Sequence, residues 1–304
     1  MNRAQVRLIR SWKEIAPMPQ QRSQRNELLQ PFLKWAGGKR QLLPYIRTYM
    51  PRSLKKTYYE PFIGAGAVLF DRQPAKAKIN DANAELINCY EIIKQDVDAL
   101  IAHAQTHKTD SSDYYYQIRG LDRTPEYAEL TPVERASRII FLNKTCYNGL
   151  FRVNSQGQFN VPYGSYKNPT IVDEFIIRAI SNYLNQNRIT ITNLDFEEAV
   201  KDAKKGDFVY FDPPYDPVSD TASFTGYNLD KFGKAEQARL KNVYAQLTQK
   251  GCLVMLSNSA TEFIRDLYQE YTVITIPANR NINSVATGRG RIDELLILNY
   301  APAI

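Results

Sequence analysis

Short apolar runs alternate with amphipathic segments in two separate stretches of the chain. In the first stretch, the pattern predicts a strand over residues 57–60, a glycine turn, a helix that begins at residues 67–70, and a strand over residues 77–80. A strand, a crossover helix and a second strand in this order are typical of a parallel βαβ unit. This stretch therefore predicts the start of an α/β fold.

The same alternation returns after residue 187. It predicts helices near residues 234–249 and 261–269, and strands over residues 188–192, 207–211, 252–257, 271–276 and 292–300. The two stretches together predict one α/β domain with a mainly parallel sheet, formed by residues 30–82 and 188–304.

The segment between the two stretches, residues 83–187, has a different composition. It contains amphipathic helical patterns such as residues 132–143, followed by a polar, aromatic-rich stretch over residues 147–166. In that stretch Gly149, Gly157 and Gly164 are spaced as turns. We interpret residues 83–187 as an inserted domain, helical with a β-hairpin.

Composition narrows the class of protein. The 304 residues include 43% hydrophobic residues, and no stretch approaches the roughly 18 to 20 apolar residues of a membrane span. The first thirty residues lack the apolar centre of a secretory signal. We therefore expect a soluble protein in the cytoplasm. We also expect a monomer.

The few cysteines and histidines limit the chemistry. Cys89, Cys146 and Cys252 lie far apart and are odd in number, so they cannot form a disulfide framework. His103 and His107 provide no common zinc-site spacing. We expect reduced thiols and no metal.

The charge balance favours an anionic partner. The formal net charge is +7 and the isoelectric point is near 9.1, so an extended partner is expected to be a polyanion. Residues 1–29 carry six Lys and Arg side chains against two Glu side chains, which predicts a mobile basic arm. The alternative, an organelle transit peptide, is disfavoured because serines are few and Pro17 breaks the helical pattern.

The glycine turn after the first predicted strand indicates a ligand that approaches the backbone. Gly64 and Gly66 allow a tight turn, and Asp81 follows the next strand, where a carboxylate in such folds binds ribose hydroxyls. Leu69 occupies the position of the third glycine of a dinucleotide fingerprint, which disfavours a nicotinamide cofactor. The turn by itself is equally compatible with a purely structural role. Together with Asp81 it predicts a nucleoside-bearing cofactor.

The sequence Asp212–Pro213–Pro214–Tyr215 directly follows a predicted strand, at the edge where open α/β sheets bind ligands. The prolines lack N–H donors, so we expect their carbonyl groups to be unopposed acceptors beside the Asp212 carboxylate. Such acceptors suit an exocyclic amino group, and Tyr215 offers a stacking face for a base taken out of a duplex. The alternative is a proline-terminated strand with a capping aspartate.

A further group precedes the sheet. Residues 31–39 place Trp35, the Gly37–Gly38 pair and Lys39 together, a combination that is able to close over a cofactor carboxylate. On its own, this group is more often core and turn.

These motifs follow one another in an order that resembles a known family from about Gln30 onward. FLKWAGGK at residues 32–39, EPFIGAGAV at 60–68, NDANAELI at 80–87, an inserted domain and DPPY at 212–215 are similar to the Dam and DpnM type of adenine-N6 DNA methyltransferase, the D12 class. The resemblance implies a Rossmann-like methyltransferase sheet with an antiparallel last strand. It also implies methyl transfer from S-adenosylmethionine to adenine N6 in double-stranded DNA, commonly within GATC.

The resemblance further implies the product S-adenosylhomocysteine and action on the bacterial nucleoid. It is compatible with a cognate restriction endonuclease as a companion and equally with an enzyme that acts without one. It implies roles for individual residues: Trp35 and Lys39 contact the cofactor, Asp81 holds its ribose, and Asp195 with Phe196 borders its adenine. The full cofactor set comprises Trp35, Gly38, Lys39, Glu60, Phe62, Gly64, Gly66, Asp81, Asp195, Phe196 and Asp212. The catalytic set is Asp212, Pro213, Pro214 and Tyr215.

Residues 147–164 resemble the hairpin with which that family reads GATC. The resemblance implies that Arg152 reads a guanine, and that Tyr147 and Asn148 fill the base stack or hold the orphan thymine. The DNA-binding set comprises Tyr147, Asn148, Arg152, Asn154, Pro162 and Tyr163. The alternative is an ordinary hairpin with packed aromatic side chains.

Two other functions are compatible with parts of the sequence. One is an amine methyltransferase of the same fold that acts on a protein or a small molecule. An Asn at position 212 would favour protein glutamine as the substrate, whereas Asp212 and the basic net charge favour DNA. The other is a DNA-binding protein that has lost catalysis, against which the presence of Asp212, Tyr215, Asp81 and Lys39 argues.

Overall fold

In the computed structural model, the described residues are 25–35, 37–108, 111–217, 232–279 and 291–302. Within these ranges seven strands form one sheet, in the spatial order β3-β2-β1-β4-β5-β7-β6. The strands are β1 (Tyr58–Glu60), β2 (Lys76–Asn80), β3 (Arg188–Thr192), β4 (Phe208–Phe211), β5 (Leu253–Ser259), β6 (Thr272–Asn279) and β7 (Arg291–Leu298). Strands β3 to β5 in this order are parallel, and β7 pairs antiparallel with both β5 and β6. The predicted mainly parallel sheet with an antiparallel last strand is confirmed.

The helices agree with the predicted alternation. The predicted helix over 234–249 has these same bounds in the structure, and the helix predicted over 132–143 continues to Thr145. The helices are α1 (Leu43–Tyr49), α2 (Ala67–Arg72), α3 (Ala84–Gln95), α4 (Val97–Gln105), α5 (Ser112–Gly120), α6 (Pro132–Thr145), α7 (Glu174–Gln186), α8 (Phe196–Val200), α9 (Lys234–Gln249) and α10 (Glu262–Leu267).

Helix α6 shows how local sequence sets an element. The Thr131 hydroxyl accepts from the Glu134 backbone N–H and the Glu134 carboxylate accepts from the Thr131 N–H, so the two residues form a capping box. Pro132 occupies the first helical position, where its missing N–H costs nothing. An N-cap of this kind stabilises a helix by about 1 kcal/mol, and it fixes where α6 begins.

The strand order creates a crevice at the carboxyl ends of β1 and β4. From β1 the chain continues to β2 and β3 on one side of the sheet, whereas β4 lies on the other side of β1 and leads to β5. Every residue of β1 and β4 is buried, as expected for central strands covered on both faces. Ligands of open α/β sheets bind at such a switch point.

The inserted segment shares its core with the sheet. Ile79 of β2, Ile93 of α3, Phe141 of α6 and Ile180 of α7 belong to one cluster of buried side chains. Helices α3 and α7 also contact β3, so the insertion begins and ends with helices that pack on the sheet. Residues 83 and 187 therefore mark where the insertion begins and ends along the chain, but the insertion and the sheet share one hydrophobic core.

The first described residues are docked on the fold. Leu29 is buried, Arg25 forms an ion pair of 2.7 Å with Asp71, and Asn26 exchanges hydrogen bonds with Gln73. The predicted mobile arm over residues 1–29 is therefore wrong at its end, because residues 25–29 are anchored by these contacts. Residues 1–24, where most of its basic side chains lie, are outside the described residues.

Candidate functional site

The DPPY sequence lies where β4 ends, and two other elements fix its aspartate. The Asp212 Oδ1 atom accepts from the Lys39 Nζ atom at 2.8 Å and from the Ser257 hydroxyl, on β5, at 2.9 Å. The Lys39 ammonium is buried, donates to the Gly37 carbonyl at 2.7 Å, and lies 4.5 Å from the Tyr215 ring centroid. Residues 31–39 and the DPPY sequence, distant in the chain, thus form one cluster.

The electrostatics of Asp212 suit an acceptor. Burial raises the pKa of its carboxyl group, and the Lys39 charge opposes that rise by favouring the ionised form. No described residue donates a hydrogen bond to Asp212 Oδ2. The carboxylate therefore has one oxygen held by the protein and one oxygen for a ligand.

The two proline carbonyls differ. None of the described donors reaches the Pro213 carbonyl, whereas the Pro214 carbonyl accepts from the Gln237 side chain at 2.9 Å. The expectation that both are unopposed is wrong for Pro214, because Gln237 projects from α9 towards it. Asn258 donates to the same Gln237 side chain at 3.1 Å and accepts from the Asp216 N–H at 3.0 Å. This buried network fixes the backbone that follows the prolines.

Tyr215 is held from two sides. Its hydroxyl donates to Glu294 of β7 at 2.8 Å, and its ring faces the Lys39 ammonium. Burial raises the pKa of Tyr215 well above its ordinary value, and the nearby Asp212 carboxylate acts in the same direction. The phenol therefore stays neutral and the ring keeps a fixed orientation.

The glycine turn joins Trp35 and Asp81. Gly64 and Gly66 have φ values of 49° and 76°, in the left-handed region that favours glycine. The Gly64 N–H donates to Asp81 Oδ2 at 3.1 Å, and a Cβ atom at Gly64 would lie 3.0 Å from the Trp35 ring. The Tyr90 hydroxyl donates to the Gly64 carbonyl at 3.0 Å. The structure brings these predicted cofactor residues together.

The Asp81 carboxylate is oriented by backbone donors. Its second oxygen accepts from the Asn83 N–H at 3.0 Å, so each oxygen holds one protein donor and retains a further lone pair. Burial raises the pKa of Asp81. A fixed acceptor pair at the end of β2 fits the two hydroxyl groups of a ribose.

Glu60 and Phe62 extend the site along the β1 edge. Glu60 is buried and accepts from the Tyr58 hydroxyl at 2.6 Å, and burial raises its pKa well above its ordinary value. The Phe62 ring centroid lies 5.4 Å from that of Phe196 and 5.6 Å from that of Phe232. These three rings form an apolar wall beside the crevice.

Asp195 has an internal partner that sequence reasoning missed. Its carboxylate caps α8 by accepting from the Glu197 N–H and forms a bidentate pair with Arg239, at 2.8 and 2.7 Å. That pair lowers the pKa of Asp195. The Arg239 guanidinium also lies 4.0 Å from the Phe196 ring centroid.

Gly38 closes a turn by donating its N–H to the Trp35 carbonyl.

The hairpin separates the predicted DNA-binding residues into two groups. Tyr147, Asn148, Arg152 and Pro162 are exposed, with 52% of Tyr147 accessible to solvent. Asn148 has a φ of 56°, which supports the sharp turn after α6. The exposed group is able to meet a macromolecule directly.

The second group is engaged within the hairpin. The Asn154 side chain accepts from the N–H groups of Gln156 and Gln158 and donates to the Gln158 side chain, so it builds the turn. Tyr163 is partly buried, and its ring centroid lies 5.3 Å from that of Tyr115. The structure therefore gives Asn154 and Tyr163 internal contacts in addition to their predicted role.

The polar residues that sequence reasoning missed have a recognisable signal. Ser257 and Asn258 end the apolar run of β5 at its carboxyl end, and the partly buried Glu294 directly precedes the apolar run of β7. Buried polar side chains at the end of a central strand indicate a site once the strand order is known. The sequence alone does not give that order.

A large cavity lies elsewhere. A volume of about 770 Å³ at the amino ends of β1, β2 and β3 is lined by several lysines, with none of the predicted site residues among its lining. Ligands bind at the opposite, carboxyl edge in such folds.

Among the described residues, no cluster of three His, Cys, Asp or Glu side chains is able to hold a metal ion. In the same ranges no helix is long and apolar enough to cross a membrane.

Comparison with known proteins gives matches along most of the chain. The family described as D12 class N6 adenine-specific DNA methyltransferase matches residues 35–282. The chain is 48% identical over 279 residues to the Type II methyltransferase M1.LlaDCHI of Lactococcus lactis subsp. cremoris, covering 91% of this chain and 98% of that protein.

Two further relatives are more distant. The Type II methyltransferase M.MjaIII of Methanocaldococcus jannaschii is 41% identical over 290 residues, covering 90% of this chain and 99% of that protein. The DNA adenine methylase of Escherichia coli (strain K12) is 34% identical over 276 residues, covering 90% and 96%. The matches extend over the sheet, the insertion and the DPPY sequence alike.

Proposed function

Because the chain belongs to the D12 class of N6 adenine-specific DNA methyltransferases, we propose that it methylates the adenine of GATC in duplex DNA. The general activity, without the recognition site, follows from membership of this family. The chain is a DNA adenine-N6 methyltransferase with S-adenosylmethionine as methyl donor. The observation that carries the proposed chemistry is the buried Asp212 carboxylate, whose Oδ1 is held by Lys39 and Ser257.

S-adenosylmethionine supplies a methyl group on a positively charged sulfur. In the transfer, the adenine N6 lone pair forms a bond to the methyl carbon while the carbon–sulfur bond breaks and leaves its electron pair on sulfur. The N6 atom then releases one proton to solvent. The proposed role of Asp212 Oδ2 and the Pro213 carbonyl is to accept one hydrogen bond each from the two N6–H groups, which makes the N6 lone pair available for attack.

The other residues of the cluster support this acceptor pair. Lys39 favours the ionised form of Asp212, and Ser257 fixes the carboxylate rotamer. Tyr215, held by Glu294, offers its ring to the base. Pro214, held by Gln237, keeps the backbone in place. Catalysis in this proposal rests on positioning and polar contacts rather than on a general base of matched pKa.

The proposed cofactor site follows the carboxyl edge of the sheet. Asp81 accepts hydrogen bonds from the ribose hydroxyls of the cofactor. The Gly64–Gly66 turn lies against the methionine part of the cofactor, and Trp35 closes over that part. Gly38, Lys39 and Glu60 complete the polar side of this site, and Phe62, Asp195 and Phe196 border the adenine.

The proposed reading of GATC rests on the exposed hairpin. We assign a guanine to Arg152 because two parallel N–H groups of a guanidinium match the O6 and N7 atoms of guanine in the major groove. Tyr147 and Asn148 are assigned the space left by the flipped adenine, since both are exposed at the turn after α6. Asn154, Pro162 and Tyr163 shape the same surface.

The partners of the chain follow from its substrate. The family acts on DNA, and we propose double-stranded DNA as the substrate of this chain. Type II methyltransferases among the relatives support the proposal that a cognate restriction endonuclease accompanies the enzyme. A monomer in the cytoplasm, on nucleoid DNA, is part of the same proposal.

Methyl transfer to short duplexes tests this proposal. One duplex carries GATC, and a set of others replaces each base pair of the site in turn. The proposal predicts methylation of the GATC duplex, with a methyl group on adenine N6, and at least tenfold lower kcat/KM on each substituted duplex. Equal methylation of another adenine-containing site would contradict the GATC assignment and leave the family activity in place.

A further inference from the structure

Arg152 is held by one residue of the opposite arm of the hairpin, whose two arms pair through isolated bridges such as Val153–Phe159 rather than through regular strands. Its Nε atom donates to the Asn160 Oδ1 atom at 2.7 Å, and its Nη2 atom donates to the Asn160 carbonyl at 3.1 Å. The Asn160 N–H in turn donates to the Arg152 carbonyl at 3.0 Å. We propose that Asn160 is a positioning residue that sets the guanine readout of Arg152. The inference rests on the proposed function.

The contact uses one edge of the guanidinium group and leaves another edge for DNA. Asn160 occupies the edge formed by Nε and Nη2. The remaining N–H groups lie on the edge formed by Nη1 and Nη2, where two of them point in parallel. Guanine O6 and N7 accept such a parallel pair. Asn160 therefore holds the arginine in the orientation that an end-on bidentate contact requires.

Asn160 is itself anchored through the residue before it. Phe159 is buried, and its N–H donates to Asp122 Oδ2 at 2.7 Å while its carbonyl accepts from Arg123 at 2.7 Å. Asp122 also forms an ion pair of 2.9 Å with Arg138, which is buried on α6. The returning arm of the hairpin is thus fixed to the helical part of the insertion.

This anchoring predicts which kinetic quantity depends on Asn160. Arg152 is exposed, and a long exposed side chain loses rotamer freedom when it binds. An orientation that is fixed before binding reduces that loss and penalises bases that do not match it. Removal of Asn160 should therefore lower discrimination at the guanine, with little effect on kcat for GATC.

A double-mutant cycle tests the inference. The variants are Arg152→Ala, Asn160→Ala and the double variant, and the readout is the ratio of kcat/KM on GATC to that on a duplex with the first guanine replaced. Arg152→Ala should lower the ratio on the order of tenfold to a hundredfold. We expect Asn160→Ala to lower it about threefold to tenfold, and the double variant to match Arg152→Ala.

Two further variants serve as controls. Asn160→Asp keeps an acceptor for Arg152 and should retain the ratio. Gln156→Ala changes an exposed side chain at the hairpin turn and should also leave the ratio unchanged. Because Asn160→Asp preserves the contact, it separates loss of positioning from loss of folding.

The outcomes distinguish the inference from the proposed function. A preserved ratio in Asn160→Ala, or an effect that adds fully to that of Arg152→Ala, would overturn the inference alone. An equal loss on both duplexes in Asn160→Ala would also overturn it, since this indicates a phosphate contact or a structural role. If Arg152→Ala itself keeps the guanine preference, the proposed readout by Arg152 and the inference both fail.

Discussion

The ring of Phe151 stacks on the ring of Trp35, with centroids 5.1 Å apart and planes inclined by 26°. Phe151 directly precedes Arg152 in the hairpin, and Trp35 packs on the Gly64 turn at the cofactor side. Asn143 of α6 adds a second link, because its side chain exchanges hydrogen bonds with the Lys34 backbone. The proposed DNA-reading and cofactor-binding elements are therefore in direct contact.

This contact predicts an effect of Phe151 on the cofactor. Phe151→Ala should weaken S-adenosylmethionine affinity about twofold to tenfold in the absence of DNA, because an aromatic pair stabilises by about 0.5–1.5 kcal/mol. Calorimetric titration of the cofactor measures it. Phe175→Ala, at a ring that is 76% exposed, is the control and should have no effect. An unchanged S-adenosylmethionine affinity in Phe151→Ala would show that the contact with the hairpin does not affect the cofactor site.

Asp81 provides a test of the cofactor site alone. Asp81→Asn should weaken S-adenosylmethionine affinity at least tenfold, because a charged acceptor to the ribose hydroxyls contributes about 1.5–3 kcal/mol. Duplex affinity, measured by fluorescence anisotropy, should remain near that of the wild type. If the variant loses duplex affinity and keeps cofactor affinity, Asp81 does not belong to the cofactor site.

The Lys39–Asp212 pair predicts a pH dependence. Burial raises the pKa of Asp212 above its ordinary value of 3.8, so the acceptor is lost as the pH falls through that raised pKa. Lys39→Met removes the charge that favours ionisation, and the acid limb of the kcat–pH profile should move to higher pH. The profile is measured at saturating cofactor, since Lys39 is also assigned to its site. An acid limb at the wild-type pH would exclude the coupling.

The partly buried His107 predicts how stability depends on pH. It contacts Tyr114 at 2.9 Å and Ser137 at 3.0 Å, and burial lowers its pKa from 6.5 to about 4. Between these values the unfolded chain binds a proton that the folded protein does not. The free energy of unfolding should therefore fall with decreasing pH, by less than about 1.4 kcal/mol per unit because part of the ring faces solvent.

The His107→Gln variant isolates this contribution. Urea unfolding at pH 5, 6 and 7 gives the slope for both proteins, and the variant should show the smaller loss of stability towards acid. Equal slopes in the two proteins would mean that His107 titrates normally in the folded state.

The sequence predicted the sheet well because local pattern and burial agree there. The central strand β4 is a continuous run of apolar and aromatic residues, every residue of β1 is buried, and α9 has a periodic pattern that gives both of its ends. The end of the basic arm was misjudged because Leu29 packs against residues distant in the chain, and such contacts leave no local pattern.

The candidate site was predictable only where its residues form motifs. Asp212 and the Gly64 turn are recognisable from their neighbours. Asn160 lies within the recognised hairpin, but its contact with Arg152, eight residues away, depends on the pairing across that hairpin. Arg239 lies 44 residues from its partner Asp195 and belongs to no motif. Only the strand order and the hairpin register bring these partners together.

The role of Asp212 is tested most directly by single-turnover methylation of a GATC duplex with the Asp212→Ala variant, with duplex and cofactor affinity measured on the same protein. We expect at least a loss of about a hundredfold in methyl transfer, because the acceptor for the N6 amine is gone. Duplex binding should persist, since Lys and Arg contacts to phosphates supply most of it. Methyl transfer above roughly a tenth of the wild-type rate would contradict the assignment of Asp212 as the acceptor in the active site.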